Sequence, residues 1–595
     1  MSMTSVVAAL DQHASFNVGE NGKTQHSWST INESLESQRD SVSQLFFQLT
    51  RCDDHSLLRE KLNSILTYYK TCESGGYIFS EEENEVFNAL YKLIPHTRDI
   101  VDGKGEYNLT YMMIFTWWNY YPKLAEYAIY NCLILDENQT KHLTEKHPYG
   151  SWKDVKYFCN YVLDKTKDKK HPLITYCLDI CNFQLNLDIH LLNSSYRDQI
   201  SLCGKWFPRE SSKKFGWLFK LLAVKKYNYI YDSADSEETR ISAKKKCSLL
   251  LRKDIVRLNT YLDTVQIKQC KNEWSTIDHN KTTSITLHKN KKAFQNLTKQ
   301  GTVRCPYSID RKKCADNFEK MIKDKLESGT NCKGKRLSLV DFTKEALKSS
   351  LSDLDKDVLN SQWKDNSSQN GNLDKIIAMV DTSGSMHGDP LYAAIALGIR
   401  VAEKSALGKR VMTFSNYPQW IDISDKNNFI DMVKHIHGFG NWGFHTNFTA
   451  AMQLILDSIV KNKVKPHHVE GMVLAIFSDM QIDENGNEKC NETMFKHIEY
   501  AYYDAGMRMW GVPFKPPHIL FWNLRSTTGF PCSVVEKNTT MFSGFSPALL
   551  NTFVEKGPEA LQNMTPWNML MDVLSNERYQ HMNAGQLIDY YSMNY

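Results

Sequence analysis

Asp381, Ser383 and Ser385 fall within five consecutive residues at the end of an apolar run, KIIAMVDTSGSMHGDP. One carboxylate and two hydroxyls so placed either cap a helix start or hold a hard cation through oxygen. Asp479 closes a second apolar run, VLAIFSDMQ, and Thr446 lies in GNWGFHTNFTAAMQ, a glycine-containing stretch just ahead of a helical pattern. Two carboxylates and three hydroxyls from three loops form an all-oxygen set. Such a set suits Mg²⁺ first, with Mn²⁺ or Ca²⁺ as further candidates, and not a soft metal. Singly, each residue is an ordinary capping residue. Jointly they are expected to be a cation site, with Thr449 as the substitute if the loop alignment slips. Two formal negative charges against a divalent ion leave a position for water or for a partner's acidic group.

The elements that would position these residues follow from periodicity. After about residue 374, apolar β-rich runs (KIIAMVD, GKRVMTFSN, GMVLAIFSD, GMRMWGVPF, HILFWNL, TTMFSGF) alternate with amphipathic stretches such as PLYAAIALGIRVAEKS and NFTAAMQLILDSIVK. That alternation predicts a doubly wound, mostly parallel α/β domain over 374–560, whose ligands bind at the carboxyl ends of the strands. Residues 1–28 read as a flexible tail and 561–595 as a helical extension. Between them, 29–365 places apolar residues at i, i+3, i+4 and i+7, in SLLREKLNSILTYYK and KDVKYFCNYVLDK for example, which predicts an all-α, helical-repeat-like region. Ser80 ahead of EEENEVF reads as an N-cap, and Pro122 and Pro172 as first helical residues. The Asn/Ser/Gly-rich stretch NSQWKDNSSQNGNLD, 360–374, reads as the linker.

Charge is segregated: residues 151–350 carry a net +18, against −8 before and −6 after. A polyanion such as structured RNA is one partner this block suits; a solvated lysine-rich helical surface is the other reading. Candidate phosphate contacts are Lys244, Lys245, Lys246, Arg252, Lys253, Lys289, Lys291, Lys292, Arg311, Lys312 and Lys313. No compact RNA-reading box accompanies them.

Other classes are disfavoured. The 14 cysteines include no CxxC pair, so a zinc site or disulfide framework is not expected and reduced thiols are. Residues 107–135, YNLTYMMIFTWWNYYPKLAEYAIYNCLIL, are interrupted by Asn, Pro, Lys and Glu and read as packed helices, not a membrane span. The first residues lack a secretory pattern, so an intracellular, cytoplasmic location is expected, in a host cytoplasm or virion if the source is viral. GxxxxGK[ST] does not occur, no histidine falls in a recognisable triad, and His387 beside the site reads as a surface residue. An enzyme is not expected.

DTSGSM, the HTN loop and FSD resemble the metal-ion-dependent adhesion site of von Willebrand factor A domains. That resemblance implies Asp381, Ser383, Ser385, Thr446 and Asp479 as metal ligands. HPYGSWKDVKYFCNYV, CGKWFPRESSKKFGWLFKLL and CKNEWSTIDHNKTTSITLHKNKKAF resemble a plant and mimivirus-like giant-virus family known as a domain of unknown function. Its architecture is similar to that of TROVE (Ro autoantigen) proteins, with QLFFQLTR near the start as a further cue, and this implies RNA or RNP binding by a scaffold protein. Two functions remain open: RNA binding through the basic region, and a protein-interaction module whose metal is completed by a partner's Asp or Glu. Trp152, Trp206 and Trp274 are expected to be packing residues.

Overall fold

The computed structural model describes residues 16–19, 24–134, 147–373, 375–415, 417–439, 447–481, 491–553, 556 and 558–594. A mostly helical N-terminal region is followed by a six-stranded, mainly parallel sheet with helices. Packing does not follow chain order. One compact unit gathers Met1–Thr97, Val101–Leu109 and Asn331–Gln586; the second holds Arg98–Ile100, Thr110–Thr330 and Leu587–Tyr595.

In the first unit, a short antiparallel pair, β1 (Phe16–Val18) and β2 (Thr24–His26), precedes the sheet. The sheet strands are β3 (Ile376–Asp381), β4 (Arg410–Phe414), β5 (Trp420–Asp422), β6 (Val473–Ser478), β7 (His518–Asn523) and β8 (Thr539–Ser543). Their order is β5-β4-β3-β6-β7-β8, parallel throughout except for the antiparallel edge strand β5. Burial on both faces explains why β3, β6 and β7 are apolar at nearly every position. Ile377, Met379, Met412, Phe414, Leu474 and Ile476 pack into one core with the Phe448–Lys461 and Asn491–Trp510 helices. The alternate residues Val380 and Val411 meet the Asp389–Lys404 helix, which comes close enough at Gly398 that a Cβ would lie 2.5 Å from Val380 Cγ2.

Two local expectations are corrected. GMRMWGVPF is not a strand: its first five residues end the Asn491–Trp510 helix. A Cβ at Gly506 would sit 2.2 Å from the Phe514 nitrogen, so the glycine lets the returning chain cross the helix. NSQWKDNSSQNGNLD is not a free linker. The Asp353–Ser367 helix runs through it, capped by Ser352, with Trp363 buried and stacked on Phe429 at 3.9 Å. Fully buried Arg400 donates to Asn366 Oδ1 (2.7 Å) and Asn370 Oδ1 (2.6 Å). The asparagines that suggested a loop are acceptors for a buried cation.

The Leu35–Gln48 helix belongs to the same core through Phe47. Gln48 Nε2 donates to Gly529 O (2.9 Å) and its Oε1 accepts from Thr527 N (2.8 Å). The buried Lys104 ammonium donates to Phe46 O (2.6 Å), Leu49 O (3.0 Å) and Ser543 Oγ (2.6 Å), satisfying carbonyls at that helix's C-terminus. Ser80 and Glu83 form the expected capping box: Ser80 N donates to Glu83 Oε2 (2.8 Å), and Glu83 N to Ser80 Oγ (3.2 Å).

Burial holds two histidines of this unit neutral. His96 is pushed down to about 3 by burial and by the Lys104 charge, and His518 to about 4 by burial. The unfolded chain takes up these protons near pH 6.5 while the folded chain does not. Stability is therefore lost as pH falls from about 6.5 towards 4, by about 1.4 kcal/mol per pH unit for each histidine. Urea midpoints between pH 7 and 4.5 should show this slope, reduced in His518→Gln; a flat wild-type profile would refute it.

In the second unit the Pro172–Leu192 helix packs against the Lys153–Thr166, Gly216–Lys226 and Glu237–Tyr261 helices. Pro122 and Pro172 each open their helix as first residue. Cys177 and Cys181 are buried, and every described cysteine is free. Burial raises the neighbouring Cys159 and Cys203 thiols well above the usual range. The apolar stretch from residue 107 forms two helices, Tyr107–Trp118 and Pro122–Leu133. Among the described residues no helix is long and apolar enough to cross a membrane.

Candidate functional site

β3 is flanked by β4 on one side and β6 on the other, so the chain's winding reverses between β3 and β6. At such a switch point the loops leaving the two strands diverge and open a crevice at the carboxyl edge. Asp381 ends β3, and Asp479 follows the last residue of β6, whose Phe477 pairs with Val380. The sheet thus delivers two carboxylates to one crevice.

Asp381 is fully buried. Its Oδ1 accepts from Ser383 N at 2.8 Å and its Oδ2 from Ser478 Oγ at 2.5 Å. Burial and the facing Asp479 charge push its carboxyl up to about 7, against the lowering effect of those hydrogen bonds. Ser383 Oγ lies 3.1 Å from Ser385 Oγ. Ser383 is buried and Ser385 exposed, so the pair spans the floor and the mouth. Asp479, also buried, accepts from Gln481 N (3.3 Å) and pairs with Arg525 Nη1 through Oδ2 (3.0 Å).

The capping alternative fails on geometry. Ser383 precedes the short 3₁₀ turn Gly384–Met386 without a side-chain capping bond. The Asp389–Lys404 helix is entered from Gly388, at φ +98°, and neither serine reaches it as a cap. Asp479 bonds within its own loop and starts no helix. Asp381, Ser383, Ser385 and Asp479 are brought to one edge; Thr446 lies outside the described residues. Its neighbour Asn447 caps the Phe448–Lys461 helix and donates its amide to Ser415 O just past β4, at 3.4 Å. Thr449 is exposed in that helix's first turn.

The donor set is hard oxygen throughout. Among the described residues no group of three or more His, Cys, Asp or Glu gathers to hold a metal. Mixed carboxylate and hydroxyl oxygens fit a hard divalent ion. Two residues escaped the sequence reading. Ser478, the residue before Asp479, orients Asp381 and accepts from Met480 N (3.1 Å), whose φ of +63° folds the loop back. Arg525, just past β7, places a guanidinium on Asp479. Applying the carboxyl-edge rule to HILFWNLR, as to the other two strands, would have found it.

In the second unit the basic candidates divide. Lys244, Lys245, Lys246, Lys253, Lys289, Lys312 and Lys313 are exposed. Arg252 is exposed too and paired with Glu210, and Lys292 is half-buried. Lys291 and Arg311 are corrections: both are buried. The Arg311 guanidinium stacks 3.5 Å from the Trp274 ring centroid and donates to Ala293 O (2.6 Å), a packing role. Trp152 and Trp274 pack as expected; Trp206 is half-buried on the wall of a cavity.

Comparison with known proteins adds kinship without a function. Residues 375–586 match a family model described as Domain of unknown function (DUF7788), a span that starts at β3 and ends past β8. The chain is also 27% identical over 516 residues, 83% of its own length and 81% of the relative's, to "Uncharacterized protein L728" of Acanthamoeba polyphaga mimivirus. The chain thus carries a segment similar to this domain of unknown function and is similar over most of its length to a giant-virus protein.

Proposed function

We propose that the chain is a non-enzymatic binding protein whose sheet edge holds a hard divalent cation, Mg²⁺ first, between Asp381, Ser383, Ser385 and Asp479. The observation that carries this reading is the meeting of two buried carboxylates from adjacent parallel strands with a hydroxyl pair that caps no helix. Bound there, the ion would supply a positive centre for a carboxylate of a protein partner. The chain's own residues do the rest: Ser478 and the Ser383 amide orient Asp381, and Arg525 balances part of the Asp479 charge. We read the domain as von Willebrand A-like on DTSGSM and FSD, and the whole as TROVE-like in architecture, with Thr446 as a fifth oxygen. Arg525 competes with the cation for Asp479. Arg525→Gln is expected to tighten Mn²⁺ binding roughly tenfold by removing a like charge at a few ångströms, as measured by calorimetric titration; weaker binding would count against the site. The partner test is capture that needs both added Mg²⁺ and Asp381; capture unchanged by chelation would defeat it.

A second reading, RNA binding through 151–350, is favoured by one observation. Lys244, Lys245, Lys246 and Lys253 stand exposed on the single Glu237–Tyr261 helix. Phosphate contacts of this kind give affinity that falls steeply with salt.

A further inference from the structure

Within the second unit a cavity of about 1040 Å³ opens between the Cys203–Trp206 turn, the segment after it, and the Glu237–Tyr261 and Val265–Lys271 helices. Its walls are largely apolar and aromatic, with Trp206, Phe215 and Phe219 among them. Set into these walls are ammonium groups. Lys156 Nζ and Lys205 Nζ each lie 5.5 Å from the Trp206 ring centroid, and Lys156 also donates to Trp206 O (3.0 Å). Both lysines are half-buried. Burial lowers Lys205, and burial with the neighbouring Lys153 charge lowers Lys156; no acidic side chain counts among the causes for either. Arg209 stands exposed at the rim.

The positive charge continues away from the cavity. Lys289 acts on Lys153 and Lys153 on Lys156, a row of electrostatic neighbours that ends at Lys156 on the cavity wall, with Asp154 acting on Lys153 in the opposite sense. Aromatic rings follow the same row. Tyr157 has Lys153 Nζ at 5.2 Å and Lys156 Nζ at 5.8 Å, and meets Phe215 edge-on with centroids 5.2 Å apart. The wall's one carboxylate, Glu210, is paired with Arg252, and no acidic side chain acts on Lys156 or Lys205; a half-buried ammonium so placed is stabilised by the counter-charge of an anionic ligand. Planar apolar surface beside them calls for a flat ring. Both requirements meet in one chemical group, a base carrying a phosphate.

We propose that this cavity binds a nucleotide, its base against Trp206 and Phe215 and its phosphate at Lys156, Lys205 and Arg209. The ligand is either a free nucleotide or one unit of a single-stranded RNA lying along the Lys289–Lys153–Lys156 row. The RNA arm rests on the second reading above; the cavity is independent of the cation site.

Cys270, an exposed thiol on the cavity wall, provides the readout without any mutation. Its alkylation rate in the full chain would be followed by peptide mass spectrometry with adenosine monophosphate, with a short oligoadenylate RNA, and with inorganic phosphate. A bound nucleotide is expected to slow alkylation of Cys270, and Trp206→Leu or Lys205→Gln to weaken that protection about tenfold or more. The Lys244→Gln/Lys245→Gln/Lys246→Gln variant should keep it. Protection by the mononucleotide supports the free ligand, and protection by the oligonucleotide alone supports the strand. Absence of protection by either, or equal protection by inorganic phosphate, would overturn the proposal. RNA binding that survives both cavity variants but is lost with the three helix lysines would also overturn it, while leaving the RNA reading standing.

Discussion

Asp154→Ala is expected to lower the stability of the second unit by about 3–5 kcal/mol, the cost of leaving a buried charge without its partner. Asp154 and Arg98 are both buried. Arg98 Nη2 and Nε donate to the two carboxylate oxygens at 2.7 and 3.0 Å, Tyr111 Oη donates to Oδ1 at 2.5 Å, and Ser151 N donates to Oδ2 at 2.7 Å. The facing carboxylate raises Arg98 above its ordinary range, and burial with the Asp154 charge raises the Tyr111 hydroxyl. Alanine would strand four donors at once. The surroundings are too tight for rescue by rearrangement: even a Cβ on Gly150 would lie 2.5 Å from Asp154 Oδ2 and 2.9 Å from Arg98 Nε. Replacing both charges, Arg98→Met with Asp154→Leu, should recover much of the loss, because the pair's own desolvation cost disappears with it. Hydrogen exchange of the Lys153–Thr166 helix, read beside the urea midpoint, checks this locally; an Asp154→Ala protein with unchanged exchange there would contradict the account.

Asp381→Ala has the second large effect, and it falls on binding. The substitution removes one of two carboxylates and frees both the Ser383 amide and the Ser478 hydroxyl that orient the loop. Losing an outer partner of a metal ligand alone costs about 10–100-fold. Loss of the carboxylate itself should weaken Mn²⁺ or Mg²⁺ binding beyond that range. The cation-free protein should respond in the opposite sense. A buried carboxylate facing a second one is unfavourable without a counter-ion, so Asp381→Asn is expected to unfold at an equal or higher urea concentration than wild type. A strongly destabilised Asp381→Asn variant would make Asp381 a structural residue and remove this argument.

What was legible in the sequence was local. Five consecutive apolar residues just before Asp381, and five just before Ser478 and Asp479, announce strands buried on both faces and polar groups at their carboxyl ends. The Ser80–Glu83 box and the helix-opening prolines were likewise carried by neighbouring residues. What was not legible depends on partners far along the chain. Gln48 and Gly529, 481 residues apart, give no periodic signal, yet they hold the Leu35–Gln48 helix to the sheet. Asn366 and Asn370 read as loop residues because asparagine is usually solvated; Arg400, 30 residues or more away, is what buries them. Lysine and arginine in basic runs read as surface for the same statistical reason, and Lys291 and Arg311, the latter under Trp274, are exceptions that only packing reveals. Arg525 and Ser478 were missed for a different reason. Ser478 stands inside FSD but is overshadowed there by Asp479, and Arg525 follows an apolar run whose carboxyl end joins the site through the strand order β3-β6-β7.

The most direct measurement is equilibrium binding of Mn²⁺ to the full chain, with Asp381→Ala and Asp479→Ala alongside. The account predicts one chelator-reversible ion per wild-type chain, displaced by Mg²⁺, and loss of that ion in both variants while each stays folded by circular dichroism. Wild-type protein that binds no ion, or variants that bind it as well as wild type does, would contradict the cation site at the β3–β6 edge.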